Sequence, residues 1–425
     1  MPNRLQQELR ATDLEGLLAT DHRARLVWGY VVRLDLNALY AQIKAVDGGT
    51  GRTPIAPEIL LTLWLYATLQ GVGSARELSR LCQEHDAYRW ICGGVSVNHH
   101  TLSDFRVGQG QVLDDLLTNS VANLLEVGAV KLERVAQDGM RVRASAGTKS
   151  FRRRPRLEEL LDQAKVRVAQ LKAQVASDPA GVSRREQAAR QRAARELQEK
   201  LEAALKRLPE LEAAKERQRN KGKKKVRAAQ ASTSDAQATL MKMANGGYNP
   251  AYNAQLCTDT SSQVIVGVDM VCVGADQGHM TPMLTQIEQR YDTVPKDYLV
   301  DGGYVTHEQI ESAEQKSTVY APVAEIANDK LAPHEPHPGD SAAVAAWRRR
   351  MGSEEAKETY KERASTAECV NALARERGLT RLRVRGLAKT KCVLLLYALA
   401  HNVMRTVALV PALLGSPGLP LKAMD

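Results

Sequence analysis

Between residues 151 and 227 the apolar positions advance in alternating steps of four and three. They fall at Leu157, Leu161, Ala164, Val168, Leu171 and Val175, and again at Leu197, Leu201, Ala204, Leu208 and Leu211. That spacing lines one stripe of a helix, and the D-P-A-G stretch at 178–181 cuts the stripe in two. The pattern predicts an antiparallel helical hairpin, inserted at 151–227, with a kink at Pro209.

Charge sets the same segment apart. Residues 151–230 hold 23 Lys and Arg against 11 Asp and Glu, while the rest of the 425-residue chain holds 36 against 38. The net charge of +10 therefore belongs to one region. Its exit, R-Q-R-N-K-G-K-K-K-V-R, is too charged to pack; Lys221, Lys223, Lys224, Lys225 and Arg227 are candidates for contact with DNA phosphates. The ordinary alternative is a solvated charge run.

Six scattered cysteines without a C-x-x-C pair predict a reduced, cytoplasmic protein with neither disulfides nor a zinc site. The polar opening, M-P-N-R-L-Q-Q-E-L-R, predicts no secretory signal. The most apolar stretch, Val393–Leu414, is interrupted by His401, Asn402 and Arg405, and reads as a buried or amphipathic helix with no role in a membrane.

Residues 1–130 read as a helical unit. P-E-I-L-L-T-L-W-L-Y-A-T-L-Q-G (57–71) opens on Pro and an acid and closes on Gly, Ser74 is a plausible cap for a helix over 74–85, and a third helix spans Val112–Val127. Short helices joined by a Gly-containing turn suit either a DNA-reading helix-turn-helix or plain bundle packing.

Strand signals begin at L-E-R-V-A-Q-D-G-M-R-V-R-A (132–144), around Asp138. Two more surround the T-D-T-S-S turn in 252–274. A helix follows, then D-Y-L-V-D-G-G-Y (297–304), a short apolar strand ending in Asp301 and two glycines. A further helix, a strand at 317–323, and two long helices over about 341–377 and 388–410 complete the order. With the hairpin set aside, these elements predict a mixed α/β sheet that can bring Asp138 and Asp301 to one edge. A carboxylate at the rim of a rigid strand can meet a metal, although Asp also starts turns for local reasons.

A metal-assisted phosphoryl-transfer site needs several hard oxygen ligands. The helical segment Y-K-E-R-A-S-T-A-E-C-V-N-A-L-A-R (360–375) offers a third acid, Glu368, with Tyr360 and Arg363 as an i,i+3 pair and Arg375 two turns past the acid. A phenol and two guanidiniums around an acid suit a site that grips phosphates.

Taken together, these motifs resemble the DDE-type transposases of bacterial insertion sequences. P-I-A-P-E-I-L-L-T-L-W-L-Y-A-T-L-Q-G-V-G-S-A-R-E-L-S-R-L and N-H-H-T-L-S-D-F-R look like the InsH-type N-terminal domain. D-G-M-R-V-R-A-S-A-G resembles the segment of the first acid, while G-G-Y-N-P-A-Y-N-A-Q and G-A-D-Q-G-H-M resemble the approach to the second, D-G-G-Y. Y-x-x-R-x-x-x-x-E fits the third.

The resemblance implies an RNase H-like α/β catalytic domain over 131–150 and 228–410, with a C-terminal tail at 411–425. It makes Asp138, Asp301 and Glu368 the catalytic, metal-holding triad for two Mg²⁺ or Mn²⁺ ions. Tyr360 and Arg363 match the family's Tyr-Arg-Glu-Lys signature, but its Lys is Arg375 here, which keeps the charge and changes the geometry. The implied partners are double-stranded DNA, as terminal inverted repeats and as target, and a second copy of the chain to synapse two ends. Two other readings stand beside it: an RNase H-like nuclease without transposition, and an inactive DNA-binding protein.

Overall fold

A computed structural model describes residues 13–43, 54–177, 184–220, 226–325 and 331–411. The chain opens with helices α1 (Arg23–Val31), α2 (Asn37–Tyr40), α3 (Pro57–Leu69), α4 (Ala75–Glu84), α5 (Asp86–Cys92), α6 (His99–Gly108) and α7 (Gly110–Glu126). Local chemistry sets their ends. Pro57 occupies the first turn of α3. The Ser74 hydroxyl accepts from the Glu77 N–H at the start of α4, and Asn98 Oδ1 accepts from His100 and Thr101 at the start of α6.

Strand β1 (Arg134–Arg143) follows, then the two-residue β2 (Phe151–Arg152), the long helices α8 (Arg154–Ser177) and α9 (Arg184–Asn220), and β3 (Ala231–Ser232), which pairs with β2. Arg154 is bonded to Glu212 near one end of the helix pair and Gln191 to the Leu171 carbonyl near the other, so α8 and α9 run antiparallel. Leu157, Ala164, Leu201, Ala204 and Leu208 form their own small core, separate from the main one. Helix α9 runs on through Pro209 without a break in its span.

The sheet resumes with β4 (Thr239–Lys242), β5 (Tyr248–Asp259) and β6 (Ile265–Val271), then α10 (Met280–Tyr291), β7 (Asp297–Leu299), α11 (His307–Ala313) and β8 (Thr318–Tyr320). Its order is β4-β5-β1-β7-β8, with β6 sharing the β4 edge of β5. Strand β5 is antiparallel to β1, β4 and β6, whereas β7 and β8 run parallel to β1 and to each other. The chain is thus a mixed α/β protein. Strand β4 is too short to show a period in the sequence.

The single helix expected over 341–377 is three. α12 (Ala342–Met351) stops at Gly352, and the Ser353 hydroxyl caps α13 (Glu354–Arg363) through the Ala356 N–H. A π-helical turn, Ala364–Glu368, then leads into α14 (Cys369–Glu376).

Helix α15 (Leu387–Leu409) is the element on which the two halves pack. It meets α3, α6 and α7 as well as β6, and Leu394–Leu399 are buried in one core shared with the sheet. By length and composition it could cross a bilayer, but 67% of its apolar window is buried inside the fold. The polar residues that interrupt its apolar run all serve the β5–β6 turn. Asn402 accepts from the Ile265 N–H (2.9 Å) and donates to the Ile265 carbonyl (2.8 Å). His401 Nε2 meets the Gln263 carbonyl at 2.8 Å, and Arg405 Nε donates to that of Ser262.

Candidate active site

Strands β1 and β7 pair in parallel with Val135 opposite Tyr298 and Ala136 opposite Leu299. Carried two residues further, that register sets Asp138 opposite Asp301. Both carboxylates therefore leave the sheet at one edge, on neighbouring parallel strands. The paired strand itself ends at Leu299, so Asp301 lies just beyond it.

There Asp301 is also a turn residue: one of its oxygens accepts from the Gly303 N–H at 2.8 Å. A Cβ on Gly303 would stand 2.9 Å from that same oxygen, so the second glycine leaves room for the carboxylate's own cap. Gly139 has a different cause. A Cβ there would stand 2.6 Å from Gln255 Nε2 and overlap Asp276 Oδ1.

The third acid arrives on the π-helical turn. Arg363, the last residue of α13, extends its guanidinium among all three carboxylates: Nη2 is 3.4 Å from Asp138 and 3.8 Å from Asp301, and Nη1 is 3.5 Å from Glu368. The Arg363 side chain is 11% exposed, against 18%, 40% and 64% for the three acids, so the cluster deepens from Glu368 inward. The turn holds five residues, Ala364–Glu368, where a regular helix would have fewer, which alters the angle between Arg363 and Glu368 around the axis.

Asp138 is the most constrained of the acids. It accepts from the Gly139 N–H and from Asn371 Nδ2, each at 2.9 Å. Burial pushes its carboxyl above the ordinary value; Arg363 and the Gly139 N–H oppose this, and Asp301 and Asp276 add to it. Tyr360, half-buried on α13, has its phenol raised by burial, with Arg363 opposing and the three acids adding.

A polar network supports this edge from the other face of the sheet. The Tyr298 hydroxyl donates to Gln137, Gln137 donates to Gln255, and the Tyr304 hydroxyl donates to Gln255. Gln255 and Asn253 both donate to Asp276 Oδ1, at 2.8 and 2.7 Å. Gln137, Gln255 and Asn253 are almost fully buried, so each of these bonds satisfies a group shielded from water.

Asp276 is a fourth acid at this edge. Its only sequence signal is G-A-D-Q-G-H-M, whose Asp carries no strand or helix context of its own.

Arg375 is not brought to this cluster. It is exposed near the end of α14, and no carboxylate pairs with it among the described residues. Seven residues past Glu368, it lies two turns further along the same stripe of the helix. Lys221, Lys223, Lys224 and Lys225 lie outside the described residues, and Arg227 is exposed in the irregular segment before β3.

Among the described residues no three acids, histidines or cysteines stand close enough together to enclose a metal ion as they are. The donor set still fits a hard divalent cation. Asp138, Asp301 and Glu368 supply only oxygens and already share one positive charge. Asn371 Oδ1, beside Asp138, is buried without a hydrogen-bond partner, a vacant acceptor that a metal-bound water could satisfy.

Comparison with known proteins gives the class. Residues 13–108 match the family described as transposase domain (DUF772), and residues 335–407 match the transposase DDE domain. No curated protein and no solved structure matches the chain. The DDE match defines a metal-dependent enzyme of DNA cleavage and transfer. Two transposase-family matches in one chain together support an insertion-sequence DDE transposase.

Proposed function

We propose that this transposase binds the terminal inverted repeats of its element, cleaves there, and transfers the freed ends to target DNA from an RNase H-like domain. The observation that carries the reading is the meeting of Asp138, Asp301 and Glu368 on the one guanidinium of Arg363. A sheet with an antiparallel half (β4, β6, β5, β1) and a parallel half (β7, β8), two of its acids entering from adjacent parallel strands, fits that fold.

Asp138, Asp301 and Glu368 would hold two Mg²⁺ or Mn²⁺ ions. Bound there, such ions supply an activated oxygen nucleophile and charge stabilisation on the leaving oxygen. The chain's residues do the rest. Asn371 and the Gly139 N–H fix the direction of the Asp138 carboxylate, and the Gly303 N–H fixes that of Asp301. Arg363 balances the acids in the free protein, and a guanidinium so placed can turn to a phosphate once the acids have another counter-charge. Tyr360 walls the site beside it. Because both ends of an element must be joined, we infer a dimer or larger assembly acting on DNA inside the cell.

The test is cleavage of a labelled duplex carrying the element's terminal repeat, with Mg²⁺ or Mn²⁺, by the parent and by Asp301→Asn. Nicking at the element boundary that is lost in the variant, with repeat binding retained, is the expected result. Equal cutting by both removes Asp301 from the site. Binding without cutting by either favours a DNA-binding protein.

A further inference from the structure

Between α14 and α15 the chain reads L-T-R-L-R-V-R (379–385), a run that strand and helix signals pass over. It holds one isolated parallel bridge, Arg143 to Arg381, among turns and bends; Leu379, Leu382 and Val384 are buried, while Arg381, Arg383 and Arg385 are exposed. The strap is tied to the end of β1. The Arg143 N–H donates to the Thr380 carbonyl (3.0 Å), the Leu382 N–H to that of Arg143 (2.8 Å), and Arg385 Nε to that of Ser145. Three exposed arginines thereby follow one another on a segment anchored to the strand that carries Asp138 and to the helix that follows Glu368.

Behind the strap is a small cavity of about 50 Å³, open to solvent, where the Gly71–Gly73 turn of the N-terminal helices meets the segment after α14. Arg106, Arg377, Arg381 and Arg383 line it, and no Asp or Glu does. None of the four has a carboxylate partner among the described residues.

Arg106 is 7% exposed. It donates one Nη to the Gly73 carbonyl (2.6 Å) and lies 4.8 Å over the Trp64 ring, yet its Nε is buried without a partner. One Nη of Arg377 is buried and unpartnered as well. Burial lowers the affinity of Arg106 for its proton, and the Arg383 charge lowers it further, as expected where cations converge uncompensated. Buried guanidinium donors with no acceptor and no counter-charge define a site for an anion.

We propose that this cavity and the arginine strap form a phosphate-binding track for the DNA backbone, in which Arg381 and Arg383, backed by Arg106 and Arg377, each take a phosphodiester. The assignment rests on the transposase reading. The strap extends the row of donors past the cavity to Arg385, which suits a chain of phosphates better than one free ion.

The test is duplex binding by the full-length protein in EDTA, followed by fluorescence anisotropy from 50 to 200 mM salt, so that no cleavage enters the readout. Arg381→Gln/Arg383→Gln alters only exposed side chains. Loss of two phosphate contacts reduces the log–log salt slope by about 2, so the fall in affinity between 50 and 200 mM salt becomes about 10-fold shallower.

Arg80→Gln/Arg89→Gln removes the same charge from residues already paired with Glu84 and Asp86, and should leave the slope unchanged. A parent slope in the strap variant overturns the track. So does a variant that loses only the thermal stabilisation given by inorganic phosphate, because the site then takes a free anion and not DNA. A parent that binds no duplex at any salt overturns the track and the transposase reading together, whereas an unchanged slope in the variant leaves that reading standing.

Discussion

Gly139→Ala should be far more damaging than the loss of one hydrogen suggests. The new methyl would overlap Asp276 Oδ1 and stand 2.6 Å from Gln255 Nε2. Gln255 cannot retreat, because it is fully buried and its other amide atom is held by Gln137 and Tyr304. Asp276 is half-exposed and can swing out, but the buried amides of Asn253 and Gln255 then lose their shared acceptor.

An orphaned buried donor costs about 1–3 kcal/mol, and water admitted by the departing carboxylate offsets part of it, so the expected loss is about 2–4 kcal/mol. The assay is urea denaturation of the parent, Gly139→Ala, Asp276→Ala and the double variant. In Asp276→Ala the donors are already orphaned and the overlap with Asp276 is gone, so only the contact with Gln255 Nε2 remains. The double variant should therefore lose clearly less than the sum of the single losses, a coupling of about 1 kcal/mol or more. Additive losses, or a neutral Gly139→Ala, would refute the claim that Asp276 is what makes this position a glycine.

Other outcomes follow from separate parts of the molecule. Arg363→Gln leaves three carboxylates without their shared cation; metal-free stability should fall by about 2–4 kcal/mol, moderated by the exposure of Glu368, and Mn²⁺ should raise the melting temperature more in the variant than in the parent. Equal metal-induced shifts would show that Arg363 does not balance the acids. Burial lowers His401 from an ordinary 6.5 to about 4. The unfolded chain then takes the proton first, so this contribution is complete above about pH 6.5 and is lost as pH falls towards 4, amounting to about 2 kcal/mol at pH 5. His401→Gln should lose less stability than the parent between pH 7 and pH 5 in urea titrations, and parallel losses would contradict the assignment. Leu201→Ala should speed hydrogen exchange across 154–220 and leave β1 and β5 protected, because Leu201 belongs to the separate hairpin core.

Much of the fold is written locally. Pro57, Ser74 and Asn98 mark helix starts by chemistry that acts within one turn, and the 4-3 spacing from Leu157 to Leu211 makes two helices whatever surrounds them. The two Asp-Gly segments likewise announce strand-edge carboxylates. The break at Gly352–Ser353 was legible in principle, since Ser followed by two Glu is a helix start, but the helical residues on either side masked it.

Tertiary structure decided whatever depends on the meeting of distant segments. The parallel register of β1 and β7, carried two residues on, sets Asp138 against Asp301 at a sequence offset of 163, and only sheet pairing fixes that number. The five-residue π turn determines how Arg363 and Glu368 share a cluster, while Arg375, two turns further along the stripe, is exposed. Asp276 and Gly139 explain each other only in contact. The strap of Arg381, Arg383 and Arg385 becomes a surface only where α15 packs under the N-terminal helices and forms one wall of the cavity behind it. Caps, turns and helical stripes act over a few residues and are read from them directly; counter-charges, registers and cavities belong to pairs of segments, and no single segment contains them.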